Sequence, residues 1–256
     1  MKLASLPMYD RPELREAQDA FWAAIHQILE KNGIESPAQL DRNGFGIDFW
    51  KNKDLVLSQT CGLPYRKYLH NKVGLVATPN FEVEGCPPGY YRSCFVVRKS
   101  DDERDVTKYL SKTFAYNEMD SQSGFAAAWN HLEPHNHWFS DFIETGTHLE
   151  SARSVATKRA DIASIDAVTW RLVKKYEDFA DELTVIEKTL PTPGLPYITS
   201  LGNDPKVLNA AIINAVFGLS QDALGVLGIH SVVSIPKATY LRITLPPSGL
   251  TAAKPR

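Results

Sequence analysis

The sequence predicts an α/β fold whose strands deliver their C-terminal ends to one cleft. Three segments carry that prediction. Phe114-Ala115-Tyr116 reads as a strand, Asp120-Ser121-Gln122-Ser123-Gly124 as a turn, and residues 125–132 as a helix. Phe142-Ile143-Glu144 runs into Thr145-Gly146-Thr147-His148 and a helix through Ser151, Val155 and Ala156. Asp161-Ile162-Ala163-Ser164-Ile165 leads to Asp166, and Val168 and Trp170 open a further helix. Three strand-to-helix turns in about fifty residues, each rich in Ser, Thr, Asp or Gly, imply a parallel sheet with converging strand ends.

The remaining elements follow in order. Residues 2–7 read as a strand, and Met8-Tyr9-Asp10 leads into a helix that ends near Lys31. Asp10 is an N-cap type with Pro12 in the first turn. Leu14, Phe21, Ile25, Ile28 and Leu29 recur on one helical face, and Gly33 terminates it. Residues 54–59 and 72–78 are strands, with a short helix over 63–70 between them. Residues 91–98, rich in aromatic and β-branched side chains, form a strand that crosses into a second lobe. That lobe alternates strand and helix to Tyr176, and residues 183–187 are its return strand. Pro191-Thr192-Pro193-Gly194 cannot continue a helix and suits a bend. Residues 196–200 rejoin the first lobe, followed by a helix over 204–219 with Pro205 at its start. The tail from Pro246 is a surface or loose segment, and no internal repeat occurs. The division is residues 1–88 and 192–256 for one lobe, with 89–191 inserted. Two crossings make a hinge that permits closure on a ligand.

Composition excludes several classes. A chain of 256 residues, 43% hydrophobic and 23% charged, suits one large domain or two small lobes of an ordinary globular protein. Its net charge of −2 comes with no basic tract, which argues against a nucleic-acid partner. Arg66, Lys67 and Lys72 read as a solvated helix face. The longest apolar stretch, residues 210–219, contains Asn214 and is too short to cross a bilayer. His131, His135 and His137 have no cysteine nearby and read as solvated loop residues, so no metal is expected. No nucleophile–base pair, shared carboxylate motif or cofactor signature is recognisable, so neither catalysis nor a cofactor is expected.

The Asp120–Gly124 turn carries the most chemistry. Asp120, Ser121 and Ser123 are N-cap types, and Gly124 lets a backbone approach closely. Such a turn aims backbone N–H groups and two hydroxyls at one point, with the positive end of a helix dipole behind them. It is built to hold an oxyanion.

Five runs then occur in register: Ser58-Gln59-Thr60-Cys61-Gly62-Leu63-Pro64-Tyr65, Gly85-Cys86-Pro87-Pro88-Gly89-Tyr90-Tyr91-Arg92-Ser93, Ala115-Tyr116-Asn117 with Ser121-Gln122-Ser123-Gly124, Thr145-Gly146-Thr147-His148 with Ser151, and Ala160-Asp161-Ile162-Ala163-Ser164-Ile165-Asp166. Together they resemble the substrate-binding proteins of phosphate/phosphite/phosphonate ABC transporters, over about residues 6–200. The resemblance implies a two-lobed type II periplasmic-binding-protein fold, each lobe a mixed sheet flanked by helices, with the ligand cleft between lobes. It places the oxygens of a phosphate or phosphonate on Ser121, Gln122, Ser123 and His148. Tyr9, Gln59, Thr60 and Tyr65 would line one wall, and Tyr91 and Asp166 would join the other. Tyr9 and Tyr91 would present hydroxyls at low entropic cost. A histidine at a helix start disfavours its own charge, whereas a bound dianion restores it. A carboxylate at Asp166 suits only a ligand that also carries an amine; otherwise Asp166 caps the helix that begins at Ala167.

The same resemblance implies a periplasmic, monomeric receptor that hands a small anion to an ABC permease. Cys61 and Cys86 fall in two of the family-like runs. A bridge between them would close a loop of about 25 residues and contribute about 3 kcal/mol in an oxidising compartment; two small buried hydrophobes are the alternative. Cys94 reads as a core residue. Residues 1–7 do not show the charged region and apolar segment of an export signal, which leaves a cytoplasmic location open. Two other readings stay open with it. One is a cytosolic enzyme on the same fold, as in menaquinone biosynthesis. The other is a receptor for an aromatic metabolite such as a thiamine-precursor pyrimidine, with Trp50, Trp129 and Trp170 as stacking walls.

Overall fold

The computed structural model describes residues 1–101, 103–248 and 250. The chain divides into two compact units: Met1–Tyr90 with Pro193–Arg242, and Tyr91–Thr192 with Ile243–Arg256. The described residues of the tail, expected with the first unit, group with the second. Leu250 packs on the second unit's core, and Asn130 Nδ2 donates to the Thr244 carbonyl at 3.2 Å. Residues 249 and 251–256 of that tail lie outside the described residues.

The first unit opens with β1 (Leu3–Ala4), β2 (Leu55–Gln59) and β3 (Val73–Asn80). The chain leaves it on β4 (Tyr90–Tyr91) and forms β5 (Ser93–Arg98), β6 (Thr113–Tyr116), β7 (Asp141–Glu144), β8 (Ile162–Asp166) and β9 (Leu183–Lys188). It returns on β10 (Thr192–Pro193) and completes the first unit with β11 (Tyr197–Ser200) and β12 (Ser231–Val233). The first sheet has the order β1-β2-β11-β3-β12, the second β7-β6-β8-β5-β9, and the crossing strands β4 and β10 pair with each other.

Both five-stranded sheets are mixed. In the second, β6 runs parallel to β7 and β8, as the strand-turn-helix pattern requires. The strands nearest the crossings, β5 and β9, pair antiparallel instead. In the first, β11 lies antiparallel between β2 and β3. Strands buried on both faces read as apolar runs. Accordingly Leu55, Val56 and Leu57 of β2, and Phe95, Val96 and Val97 of β5, are almost wholly inaccessible. The first unit's core gathers Trp50, Leu55, Tyr65, Leu69, Ile198 and Tyr240. The second is aromatic, with Phe114 stacked on Phe139 at 4.2 Å.

Local chemistry explains the departures from expectation. The helix Arg15–Lys31 buries Phe21, Trp22, Ile25 and Leu29, and Gly33 ends it with φ +70°. Asp10 does not cap it. A 3-10 turn, Pro12–Leu14, precedes the helix, and the Asp10 carboxylate accepts from Arg42 Nη1 at 3.1 Å. The first strand is only two residues long and pairs parallel with β2; Pro7 has no N–H to extend that ladder. Arg66, expected on a solvated face, is buried in the helical turn Tyr65–Leu69. The helix Pro205–Gly218 starts as expected, with the Asp204 side chain accepting from Lys206 N at 2.9 Å. No single helix among the described residues is long and apolar enough to cross a membrane.

At the crossings two glycines meet. Gly194 N donates to the Gly89 carbonyl at 2.8 Å. A Cβ on Gly194 would lie 2.7 Å from that carbonyl oxygen, and Gly89 holds φ +75°. Only residues without side chains allow this approach.

Candidate oxyanion-binding site

In the second unit, β6 ends at Tyr116 and the chain turns into a helical segment over residues 122–132. Ser121 is its N-cap, with backbone in the extended region and Oγ accepting from Gly124 N at 3.0 Å. The segment opens with a wide turn: Ala126 N donates to the Ser121 carbonyl at 3.0 Å, five residues back, before regular α geometry from Ala127. Such single-turn widenings inside helices are frequent at functional sites. Ser121, Gln122 and Ser123 are all buried, each below 5% exposed. The first N–H groups of a helix have no helical partners, so the turn concentrates positive potential around two hydroxyls.

Two further serines hold the turn in place. The hydroxyls of Ser93 on β5 and Ser164 on β8 donate to the Ser123 carbonyl at 2.8 and 2.7 Å. Neither was a sequence candidate. The signal was a buried serine in each of two largely apolar strands, where a hydroxyl needs a buried partner.

The second turn joins the first. Thr145 N and Oγ1 donate to the Tyr116 carbonyl at 2.9 and 3.0 Å, and Gly146 N donates to the Asn117 carbonyl at 2.8 Å. Thr147 caps the helix His148–Ala156 through Glu150 N. This anchoring brings His148 Nε2 to 2.7 Å from Ser123 Oγ. The residue keeps some exposure, but its Nδ1 is sealed from solvent. Burial pushes the imidazole pKa down to about 4, opposed in part by the Ser164 backbone. The helix start was expected to disfavour the charge; desolvation is the dominant cause. The spacing is that of a nucleophile and its base, a pair not recognisable in the sequence. A ring held at about 4 is a feeble proton acceptor at neutral pH.

The other candidates divide. Asp166 Oδ1 accepts from Val168 N at 2.6 Å and Thr169 N at 3.0 Å, so the residue caps the helix Ala167–Tyr176. Tyr91 is buried in the second unit at 2% exposure. In the first unit Tyr9 and Gln59 line one small pocket with Phe81 and Tyr197. Tyr9 has φ +63° and meets Phe81 edge-on at 5.2 Å. Gln59 Nε2 donates to the Leu195 carbonyl at 3.0 Å. Thr60 is buried, its N–H on the Pro196 carbonyl at 3.1 Å. Tyr65 is a core residue packed edge-on against Tyr240.

Other expectations are corrected. Trp50, Trp129 and Trp170 are buried core residues, so they build no stacking walls. The possible Cys61–Cys86 bridge is not formed. Cys61 precedes the short helix after β2, Cys86 sits in the turn before β4 with its N–H on the Val83 carbonyl, and both remain thiols. No group of three or more His, Cys, Asp or Glu among the described residues is arranged to hold a metal.

Known structures share this architecture. A Prochlorococcus marinus protein in complex with methylphosphonate superposes with TM-score 0.70 at 15% identity, over 94% of each chain. A binding protein component of an ABC phosphonate transporter from Pseudomonas aeruginosa gives 0.66 at 17%, over 91% of this chain and 80% of that one. A Xanthomonas citri protein bound to ATP gives 0.68 at 14%, over 95% and 94%. The fold is therefore that of the two-lobed periplasmic binding proteins. A search of curated proteins finds no match. The family model for the ABC transporter, phosphonate, periplasmic substrate-binding protein matches residues 47–240. The chain belongs to that family, whose members are substrate-binding components of transporters.

Proposed function

We propose that this protein binds a phosphonate- or phosphate-class oxyanion at the Ser121–Gln122–Ser123 turn, with His148 beside it, and delivers it to an ABC permease in the periplasm without chemical change. One observation carries the reading: a buried helix start presents two serine hydroxyls, and a histidine from a second turn reaches one of them at 2.7 Å. The methylphosphonate held by the Prochlorococcus relative supports the ligand class. The two chain crossings support capture by closure of the units about β4 and β10.

Titration calorimetry with methylphosphonate, inorganic phosphate and sulfate tests the site. At least one of them should bind, and Ser123→Ala should weaken it by about 1–2 kcal/mol, the worth of one charge-assisted hydrogen bond. Unchanged affinity in the Ser121→Ala/Ser123→Ala double variant would remove the assignment.

A further inference from the structure

We propose that the small pocket of the first unit, lined by Gln18, Gln59 and Tyr197, is a recognition site for one uncharged hydroxyl group. That hydroxyl belongs to an ordered water or to the captured molecule. In the second case the inference rests on the function proposed above and narrows its ligand to a hydroxyl-bearing oxyanion.

Unused hydrogen-bonding atoms define the site. The pocket has a volume of about 20 Å³, room for one water-sized group. Gln18, Gln59 and Tyr197 line it, and none of them is more than 4% exposed. Gln18 lies on the helix Arg15–Lys31, Gln59 ends β2 and Tyr197 begins β11, so three separate elements supply them. Each keeps one polar atom without a partner among the described residues.

For the two glutamines the existing partner decides which atom that is. Arg42 Nη1 can only donate, so its contact at 2.6 Å takes Gln18 Oε1 and leaves Gln18 Nε2 as a donor. The Leu195 carbonyl can only accept, so its contact at 3.0 Å takes Gln59 Nε2 and leaves Gln59 Oε1 as an acceptor. The Tyr197 ring packs on Phe21 with centroids 6.5 Å apart, and its hydroxyl can donate or accept. None of the three atoms is sealed into the protein. They open on the pocket that their residues line.

A hydroxyl matches this set completely. Its oxygen accepts from Gln18 Nε2 and Tyr197 Oη, and its hydrogen goes to Gln59 Oε1. A methyl group would leave all three atoms unmet, which buried polar groups tolerate poorly. An ammonium would set its own donors against Gln18 Nε2, and a carboxylate its lone pairs against Gln59 Oε1. Neither ion would find an opposite charge. No charged residue lines the pocket, and Arg42 beside it is paired with Asp10 and Asp19. Burying an unpaired charge there is costly. Phe21, Phe81 and Ile229 supply apolar wall, and Tyr9 lines the pocket from a left-handed backbone at φ +63°.

The test pairs a high-resolution crystal structure of the ligand-free protein with calorimetry. In the crystal one water should bridge Gln18 Nε2, Gln59 Oε1 and Tyr197 Oη. Calorimetry with methylphosphonate, hydroxymethylphosphonate and aminomethylphosphonate then separates the two sources. If the captured molecule supplies the hydroxyl, the hydroxymethyl compound should bind at least about tenfold more tightly than the other two. Tyr197→Phe and Gln59→Met should each remove most of that advantage. If water is the resident group, the three compounds should bind alike and the water should persist in their complexes. A dry or collapsed pocket in the crystal overturns the inference and leaves the oxyanion site intact. So does a preference for the methyl or aminomethyl compound, or a hydroxymethyl advantage undiminished in both variants. Binding of none of the three overturns the proposed function instead, and the bridging water still decides the pocket.

Discussion

Tyr240 Oη and Thr78 Oγ1 lie 2.7 Å apart across 162 residues of sequence. The same phenol donates to the Gly194 carbonyl at 3.0 Å, so one buried hydroxyl fastens the helix Lys237–Leu241 to β3 and to the returning chain. Tyr240→Phe should lower unfolding free energy by about 1–3 kcal/mol, because it leaves a buried hydroxyl and a buried carbonyl unsatisfied. Denaturant titration measures this. A change below 0.5 kcal/mol would show that these groups find other partners.

Gly124 is predicted to resist any side chain. A Cβ there would run into the Asn117 side-chain amide oxygen and sit 3.2 Å from the Asn117 backbone N. Gly124→Ala should destabilise by about 1–3 kcal/mol through overpacking and weaken oxyanion binding as the turn shifts. Gly218→Ala is the control, since nothing lies within 4 Å of its Cβ position. Equal effects from the two substitutions would refute the packing argument.

Stability should fall on acidification through His148. The folded ring titrates at about 4 and is neutral because it is buried, whereas an unfolded histidine titrates near 6.5. Between those values the unfolded chain binds more protons, so stability declines as pH falls from about 6.5 to about 4, by up to roughly 3 kcal/mol. Above that window this residue adds no slope, and below it both states are protonated. Chemical denaturation at pH 7.5 and 4.5, repeated with His148→Gln, isolates its share. Identical pH dependence in variant and parent would exclude it.

Thiol titration in denaturant should count three thiols, since Cys61, Cys86 and Cys94 are all reduced in the structure. Without denaturant Cys94 should react slowest, because burial pushes its thiol up to about 11 and the thiolate is the nucleophile. A count of one would reinstate the Cys61–Cys86 bridge.

What was legible in the sequence followed local signals. The strand-turn-helix units around Ser121, Thr147 and Asp166 each carry a cap residue beside an apolar run, and such chemistry is readable within a few residues. Asp166 appeared there with two roles, and the structure realises the cap. The support of the turn was not legible. Ser93 and Ser164 act on Ser123 only because β5 and β8 pair with Phe95 opposite Ser164 and Ser93 opposite Asp166, and register is a tertiary fact. The helix Gln221–Leu227 and strand β12 were also missed. The helix is only seven residues long and ends at Gly228, and β12 is defined by its partner β3 rather than by its own three residues.

The position of β11 sets an order of events on the ribosome. β2 and β3 are made early, but the strand that separates them begins only at Tyr197. All of Tyr91–Thr192 emerges in between, as a nearly continuous stretch with its own core. Domains form as units while synthesis proceeds at about 5–20 residues per second. The inserted unit can therefore mature while β2 and β3 still wait with open edges, for at least several seconds at that pace. Unpaired edges invite pairing with other chains. The nascent protein is most vulnerable to aggregation in the interval before Tyr197 arrives, and a chain truncated there would have all five strands of the second sheet but only part of the first.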